Sequence, residues 1–332
     1  MKRRRLLQGA GSAGLLLGLP VPVWSLQGNP DSKTGLVLDP RFLDHMIRRG
    51  HPESPDRLRH IQTLFEAEGL FGECRRITPK DHPGDSLYRL HGEDHIDSIA
   101  SRYPDAHRVA LLASGGAIAA AEAIMTGDIR QAFCASRPPG HHAQDTGEEE
   151  GFCYYTHPAI VARHLQQQHG LERILIADWD YHHGDATEAM FYDDPSVLFF
   201  STHDLHAYPG TGHASRRGTG DGEGYSINVP LECGDGDSRI IGAFENRLLP
   251  AADTFKPDFV LISAGFDSRK DDPLGCFEVT DRGFTELSRL MLDIAKRHCD
   301  GRLLSILEGG YNLEGNAKAA AAHLGELVKS VQ

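Results

Sequence analysis

Eight consecutive residues, Asp178-Trp179-Asp180-Tyr181-His182-His183-Gly184-Asp185, gather three carboxylates and two imidazoles directly after an apolar run at 174–177. Charge at that density beside a buried element is costly unless a cation or a partner compensates it. Asp180 and His182 stand two residues apart, so in extended chain their side chains project to the same side. One carboxylate oxygen and one imidazole nitrogen suit a borderline cation such as Zn²⁺. Trp179 and Tyr181, in alternate positions, are expected to pack away from that site.

Three other clusters complete a hydrolytic inventory. Asp267, in Ser263-Ala264-Gly265-Phe266-Asp267, would be a third metal ligand, leaving room at the ion for water and a carbonyl oxygen. His141 and His142 offer a base, and Asp178 and Asp185 are carboxylates able to orient imidazoles. Tyr311, on the Glu308-Gly309-Gly310-Tyr311-Asn312 loop, can donate a hydrogen bond to a developing oxyanion.

These clusters need elements to hold them, and the hydropathy pattern supplies a strand before each one. Strands are expected at 34–38, 131–135, from 174, and at 197–201, 225–231, 259–264 and 302–307. Helices are expected at 58–70, 110–126, about 158–169, 186–192, 281–299 and 317–331. Alternating strands and helices give an α/β fold with a mostly parallel sheet covered on both faces. In such sheets ligands bind at the carboxyl ends of the strands, where all four clusters fall. Residues 26–332 are expected to form a single catalytic domain, and no second apolar run is expected to reach membrane length.

The formal net charge of −13 argues against nucleic acid as a partner and favours cationic substrates. Six cysteines show no Cys-x-x-Cys spacing, so no disulfide framework is indicated, although an oxidising compartment would permit an isolated bridge. Residues 1–25 read as an export signal: Lys2-Arg3-Arg4-Arg5, an apolar stretch at 6–19, then Val23-Trp24-Ser25 as the approach to cleavage. Arg3-Arg4-Arg5-Leu6-Leu7-Gln8 resembles the twin-arginine motif, which implies a periplasmic or otherwise extracytoplasmic protein with no membrane insertion after cleavage.

Taken together, Arg137-Pro138-Pro139-Gly140-His141-His142-Ala143, Gly151-Phe152-Cys153, Asp178-x-Asp180-x-His182-His183-Gly184-Asp185, Tyr208-Pro209-Gly210-Thr211-Gly212 and the Asp267 and Tyr311 motifs resemble the zinc-dependent histone deacetylase family. That family includes acetylpolyamine amidohydrolases and acetoin-utilisation proteins, and His51-Pro52-Glu53-x-Pro55-x-Arg57 leans toward class II-like bacterial members. The resemblance implies a three-layer, arginase/deacetylase-like α/β fold. It implies an amidohydrolase that removes acetyl or related acyl groups from acetyl-lysine side chains, acetylpolyamines or other small acylated amines. Asp180, His182 and Asp267 would hold one Zn²⁺ per chain. His142, paired with Asp185, would be general base and then acid, His141, paired with Asp178, would stay protonated, and Tyr311 would polarise the carbonyl. Phe152 and Tyr208 would face each other across a narrow tunnel, with Gly151 and Gly310 letting backbone approach. A structural K⁺ would sit among Asp178, Asp180, His182, Ser201 and Thr202.

Two departures stand out. Tyr154-Tyr155-Thr156-His157-Pro158 replaces the usual polar residues after Cys153, which is expected to alter packing beneath the site. The segment between Arg102 and Ala110, where relatives carry an acidic clamp on the substrate, is shortened and holds only Asp105. An arginase-like ureohydrolase with two Mn²⁺ is the alternative enzyme, but it needs Asp-x-Asp where Asp267-Ser268-Arg269 stands. A non-catalytic acyl-amine-binding protein is a further alternative, and it would not require the full catalytic set.

Overall fold

The computed structural model describes residues 28–331, so the expected export signal at 1–25 lies outside the described residues. The first half contains β1 (Thr34–Val37), α1 (Asp56–Ala67), α2 (Leu70–Glu73), β2 (Arg75–Arg76), α3 (Glu93–Arg102), α4 (Pro104–Met125), β3 (Gln131–Cys134) and α5 (His157–His169). The second contains β4 (Ile174–Asp178), α6 (Asp185–Met190), β5 (Val197–Asp204), β6 (Ser226–Leu231), α7 (Asp237–Ala243), α8 (Leu249–Phe255), β7 (Phe259–Ala264), α9 (Asp281–His298), β8 (Leu303–Leu307) and α10 (Leu313–Lys329).

The eight strands form one sheet in the order β2-β1-β3-β8-β7-β4-β5-β6, every pairing parallel. Helices α1, α9 and α10 pack together as one outer layer and α4 and α5 as the other, giving the expected three-layer α/β arrangement. The strands β3, β4, β5, β7 and β8 are buried along their whole length, which is why they read as unbroken apolar runs rather than alternating ones. Consecutive strands β3 and β4 are parted by β8 and β7. The four central strands β3-β8-β7-β4 are therefore those that precede the four polar clusters.

The sequence expectations differ from the structure mainly where sequence is polar. Helix α3, and α7 and α8 with the π-helical turn between them (Phe244–Leu248), went unread because charged residues dilute their apolar periodicity. Helix α4 starts at Pro104, six residues before its Ala-rich stretch, with proline in the first turn where its missing N–H costs nothing. Helix α10 starts at Leu313 because Asn312 caps it, its side chain accepting from Gly315 N at 3.0 Å. Strand β5 runs to Asp204 because β6 continues the ladder as far as the Asp204–Leu231 pair.

Contrary to expectation, α4 is long and apolar enough to cross a membrane. Its most apolar stretch is 72% buried against the sheet and α5, so its hydrophobicity is that of a core helix. One bridge does form, between Cys233 and Cys276, and Cys74, Cys134, Cys153 and Cys299 are free and buried.

Candidate active site

The sheet's carboxyl edge carries a cavity of about 530 Å³ walled by His142, Gly151, Phe152, Tyr181, His182, Ala207, Tyr208, Leu274 and Tyr311. Its floor is built by β4. Asp178 is the last residue of that strand, and its carboxylate accepts from Asp180 N at 3.0 Å, turning the chain so that Asp180 and His182 face the cavity floor. The loop after β7 brings Asp267 alongside. His182 Nδ1 lies 3.1 Å from both Asp180 Oδ1 and Asp267 Oδ2. These three side chains form a group of metal-ligand spacing, with both carboxylates fully buried.

The arrangement fits a cation. Burial, then the neighbouring Asp180 carboxylate, pushes the Asp267 carboxyl up to about 7, the cost of holding two anions together in a dry site. Backbone donors satisfy the oxygens facing away: Gly309 N donates to Asp180 Oδ2 at 2.8 Å, and Tyr181 N to Asp267 Oδ1 at 2.8 Å. Gly309 must be glycine there, because a Cβ would lie 2.1 Å from Asp267 Oδ2. One oxygen of each carboxylate remains directed at His182, the donor set expected around a zinc ion.

The two histidines of the loop after β3 differ sharply. His141 Nδ1 donates to Asp178 Oδ2 at 2.9 Å, and its Nε2 lies 3.8 Å from Asp180 Oδ2. Burial alone would lower its pKa, but the Asp180 and Asp178 carboxylates lift it well above the ordinary value. His142 Nδ1 donates to Asp185 Oδ1 at 2.7 Å, and Gln144 Nε2 holds the other Asp185 oxygen at 2.7 Å. Burial and the neighbouring His141 charge lower the His142 pKa to about 4, which outweighs Asp185 and leaves a neutral imidazole at neutral pH. One of the pair is thus a fixed cation and the other a base.

Glu308, at the end of β8, holds this loop: its Oε2 accepts from Gly140 N at 2.6 Å and His141 N at 3.2 Å. From beneath, Thr156 Oγ1 donates to the Ala143 carbonyl at 2.6 Å and His157 Nε2 to the Pro138 carbonyl at 3.1 Å. The departure at 154–158 therefore packs under the site, as the sequence implies.

Walls and rim follow from backbone conformation. Gly151 has φ +54°, and a Cβ would sit 2.4 Å from His142 Cδ2. Phe152 also adopts a left-handed conformation, φ +69°, held by Phe152 N donating to Glu149 Oε1 at 2.5 Å. Its ring stands edge-on to Tyr311 at 6.0 Å and to His51 at 4.7 Å. Tyr208 packs edge-on to His142 at 5.0 Å and is half exposed.

Several expectations need correcting. Trp179 does pack away, against Phe244, Phe284 and His323, but Tyr181 lines the cavity. The turn at 178–182 breaks the two-residue alternation, and the Tyr181 hydroxyl is anchored by Asp204 Oδ2 at 2.7 Å. Gly310 lies behind the wall: its φ is +120°, and a Cβ would strike Asn316 Oδ1 at 2.4 Å. Asp105 stands on the first turn of α4, its side chain 83% exposed, and only Tyr103 separates α3 from α4. Ser201 and Thr202 are fully buried on β5, with Ser201 in register with Asp178, and Ser201 Oγ lies 2.9 Å from His203 Nδ1. Arg269, where a binuclear site would need a carboxylate, pairs with Asp281 at 2.7 Å.

Sequence reasoning assigned no role to a buried network behind the tyrosine. Arg57 Nε donates to the Gly310 carbonyl at 2.7 Å and Nη2 to the Glu308 carbonyl at 2.5 Å. Glu53 takes a bidentate pair from Arg137, 2.7 and 2.6 Å, and lies 3.4 Å from Arg57 Nη1. Asp272 accepts from Tyr311 N at 2.6 Å and Asn312 N at 2.9 Å. The available signal was the string of charges in His51-Pro52-Glu53-Ser54-Pro55-Asp56-Arg57, too rich for a solvated turn beside two prolines.

Comparison with known proteins agrees with this geometry. The profile of the histone deacetylase domain matches residues 51–327. A probable deacetylase of Archaeoglobus fulgidus is 40% identical over 298 residues, 85% of this chain and 82% of the relative. Histone deacetylase 15 of Arabidopsis thaliana is 38% identical over 314 residues, 88% of this chain but only 56% of that protein's length. The crystal structure of the HDA15 HD domain superposes with a TM-score of 0.84 at 37% identity, covering 90% of each chain.

Proposed function

We propose that this chain, which belongs to the histone deacetylase family and is a zinc-dependent deacetylase, removes acetyl or related acyl groups from small cationic amines. The observation that carries the reading is that a single cavity is walled at once by His142, His182 and Tyr311.

Asp180, His182 and Asp267 would hold one catalytic Zn²⁺, which as a Lewis acid polarises a carbonyl and makes water more acidic. His142, neutral at working pH, accepts the proton of the attacking water and returns it to the departing amine. His141 stays protonated between Asp178 and Asp180 and places a positive charge under the developing oxyanion. Tyr311, whose phenol burial keeps protonated well above the ordinary range, donates a hydrogen bond to that oxyanion. Phe152, Tyr208, Tyr181 and Leu274 form an apolar channel for the alkyl chain and exclude water.

Glu148, Glu149 and Glu150 lead into the Gly151-Phe152 wall, and the chain carries net charge −13; both favour a cationic amine. Residues 1–25, read as a twin-arginine export signal, would place the enzyme outside the cytoplasm, away from chromatin. A structural K⁺ beneath the site is supported by the buried Asp178–Ser201 register and by Thr202 Oγ1, which is buried without a hydrogen-bond partner. A screen of zinc-loaded protein on acetyl-lysine peptides and N-acetylated polyamines tests the activity, with His142→Ala and Tyr311→Phe as controls. Absence of turnover on every acyl-amine would defeat it; retention of an Arg3→Lys/Arg4→Lys variant in the cytoplasm tests export separately.

A further inference from the structure

We propose that Glu122, His164 and His169 form a second divalent-cation site, of the zinc type, on the side of the sheet opposite the catalytic cavity. Glu122 lies near the end of α4, and His164 and His169 lie on the last turns of α5. These helices lead into β3 and β4, so the cluster sits at the amino ends of the strands, whereas the cavity opens at their carboxyl ends.

Two imidazole nitrogens converge on one carboxylate oxygen: His164 Nε2 is 2.5 Å and His169 Nε2 3.1 Å from Glu122 Oε1. The three donor atoms lie within 4.8 Å of one another, the spacing also met by Asp180, His182 and Asp267. Two imidazoles and a carboxylate are an established zinc donor set, and bonds of ~2.0–2.1 Å in a tetrahedron put ligand atoms ~3.3 Å apart. Opening the present contacts by less than ~1 Å admits the ion.

Behind the first imidazole stands an orienting group: His164 Nδ1 is 3.2 Å from Ser86 Oγ. A hydroxyl both donates and accepts, so it serves the tautomer that hydrogen-bonds Glu122 and the opposite tautomer that binds a metal. Burial, offset by Glu122, keeps the His164 imidazole more readily neutral than usual, and Glu122 is held in its carboxylate form by both histidines against the cost of its own burial.

A third group with similar spacing, His91, His95 and Asp145, fails the same chemistry. There His95 donates from Nε2 to the Tyr154 carbonyl and accepts at Nδ1 from Gly147 N, leaving no lone pair for a metal. In the Glu122 cluster every nitrogen facing the centre exchanges only a proton with the carboxylate, and a cation can replace that proton. Bound there, the ion would tie the ends of α4 and α5 together. The site is independent of the deacetylase reading, since none of its residues lines the cavity.

The full chain is equilibrated with Zn²⁺, freed of excess metal, and its zinc content and thermal midpoint are measured. Wild type should retain two ions, and His169→Gln and Glu122→Gln, at half-buried positions, should each retain one with acyl-amine turnover unchanged. In an Asp267→Asn background, Zn²⁺ should raise the midpoint only while His169 is intact. A wild-type chain with one zinc, or a second zinc that survives both substitutions, overturns the proposal and leaves the cluster a hydrogen-bonded group of Glu122 with the two histidines.

Discussion

Arg57 donates from Nε to the Gly310 carbonyl at 2.7 Å while its guanidinium carbon lies 4.9 Å from the Tyr311 ring centre. A residue at the start of α1 thus fixes the backbone and ring of the oxyanion donor after β8. Because Arg57 is fully buried, its charge is balanced from the other side by Glu53, itself clamped by Arg137.

Arg57→Lys keeps the charge but loses the planar fork that holds two carbonyls at once. We expect kcat to fall ~100-fold through misplacement of Tyr311, with KM little changed. Steady-state kinetics on an acetyl-lysine substrate check this, and an unaltered kcat would remove the positioning role. Arg57→Met should also destabilise the protein by ~2–5 kcal/mol, because the buried Gly310 and Glu308 carbonyls lose their donor.

Tyr311→Phe removes one oxyanion donor and almost no packing volume. The expected outcome is a loss of ~10²–10³ in kcat with the thermal midpoint maintained. Since the phenol stays protonated far above neutral pH, wild-type activity should show no basic limb from Tyr311 up to pH 10. A basic limb that disappears in the phenylalanine variant would contradict that assignment.

Gly151→Ala places a methyl against His142 and requires φ +54° of an L residue. His142 must move, its hydrogen bond to Asp185 with it, so turnover should drop at least ~100-fold while the fold persists. A crystal structure of the variant with His142 unmoved and full activity would refute the close approach.

Acid stability has a definite sign. Burial lowers the pKa of His91 to about 3, His157 to about 4, His203 to about 4 and His323 to about 3. Their neutral forms stabilise the fold fully above the unfolded-state value of ~6.5, and this is lost as pH falls toward the folded values. Each proton taken up on unfolding costs ~1.4 kcal/mol per pH unit, so the thermal midpoint should fall progressively more steeply from pH 7 to pH 5. His323→Gln, which can still bond Ser288 or Ser305, should flatten that dependence by one proton. A midpoint independent of pH over this range would mean these histidines are not buried as neutral groups.

The sheet was legible because a fully buried parallel strand leaves an unmistakable apolar run, and the family was legible from the motifs that follow those strands at their carboxyl ends. Asp180, His182, Asp267, His141, His142 and Tyr311 could be named from residue type and position alone. Alternation failed where the chain turns, putting Tyr181 outside the cavity, and the close approach that the resemblance assigned to Gly310 is made by Asn316.

Tertiary structure supplied the physical reason that identical side chains differ. Residue type does not distinguish the imidazoles of His141-His142, which only the resemblance told apart; the nearness of His141 to Asp180, and the burial of His142 beside that charge, make the first a fixed cation and the second a base. Likewise, the sequence supplies Arg57, Glu53 and Arg137 as scattered charges, and only the order β3-β8-β7-β4, which inserts the last two strands between earlier ones, brings them behind Tyr311. Residue types determine which chemistry is available; charge–charge distance and desolvation, which depend on positions in three dimensions rather than on chain order, determine which group performs it.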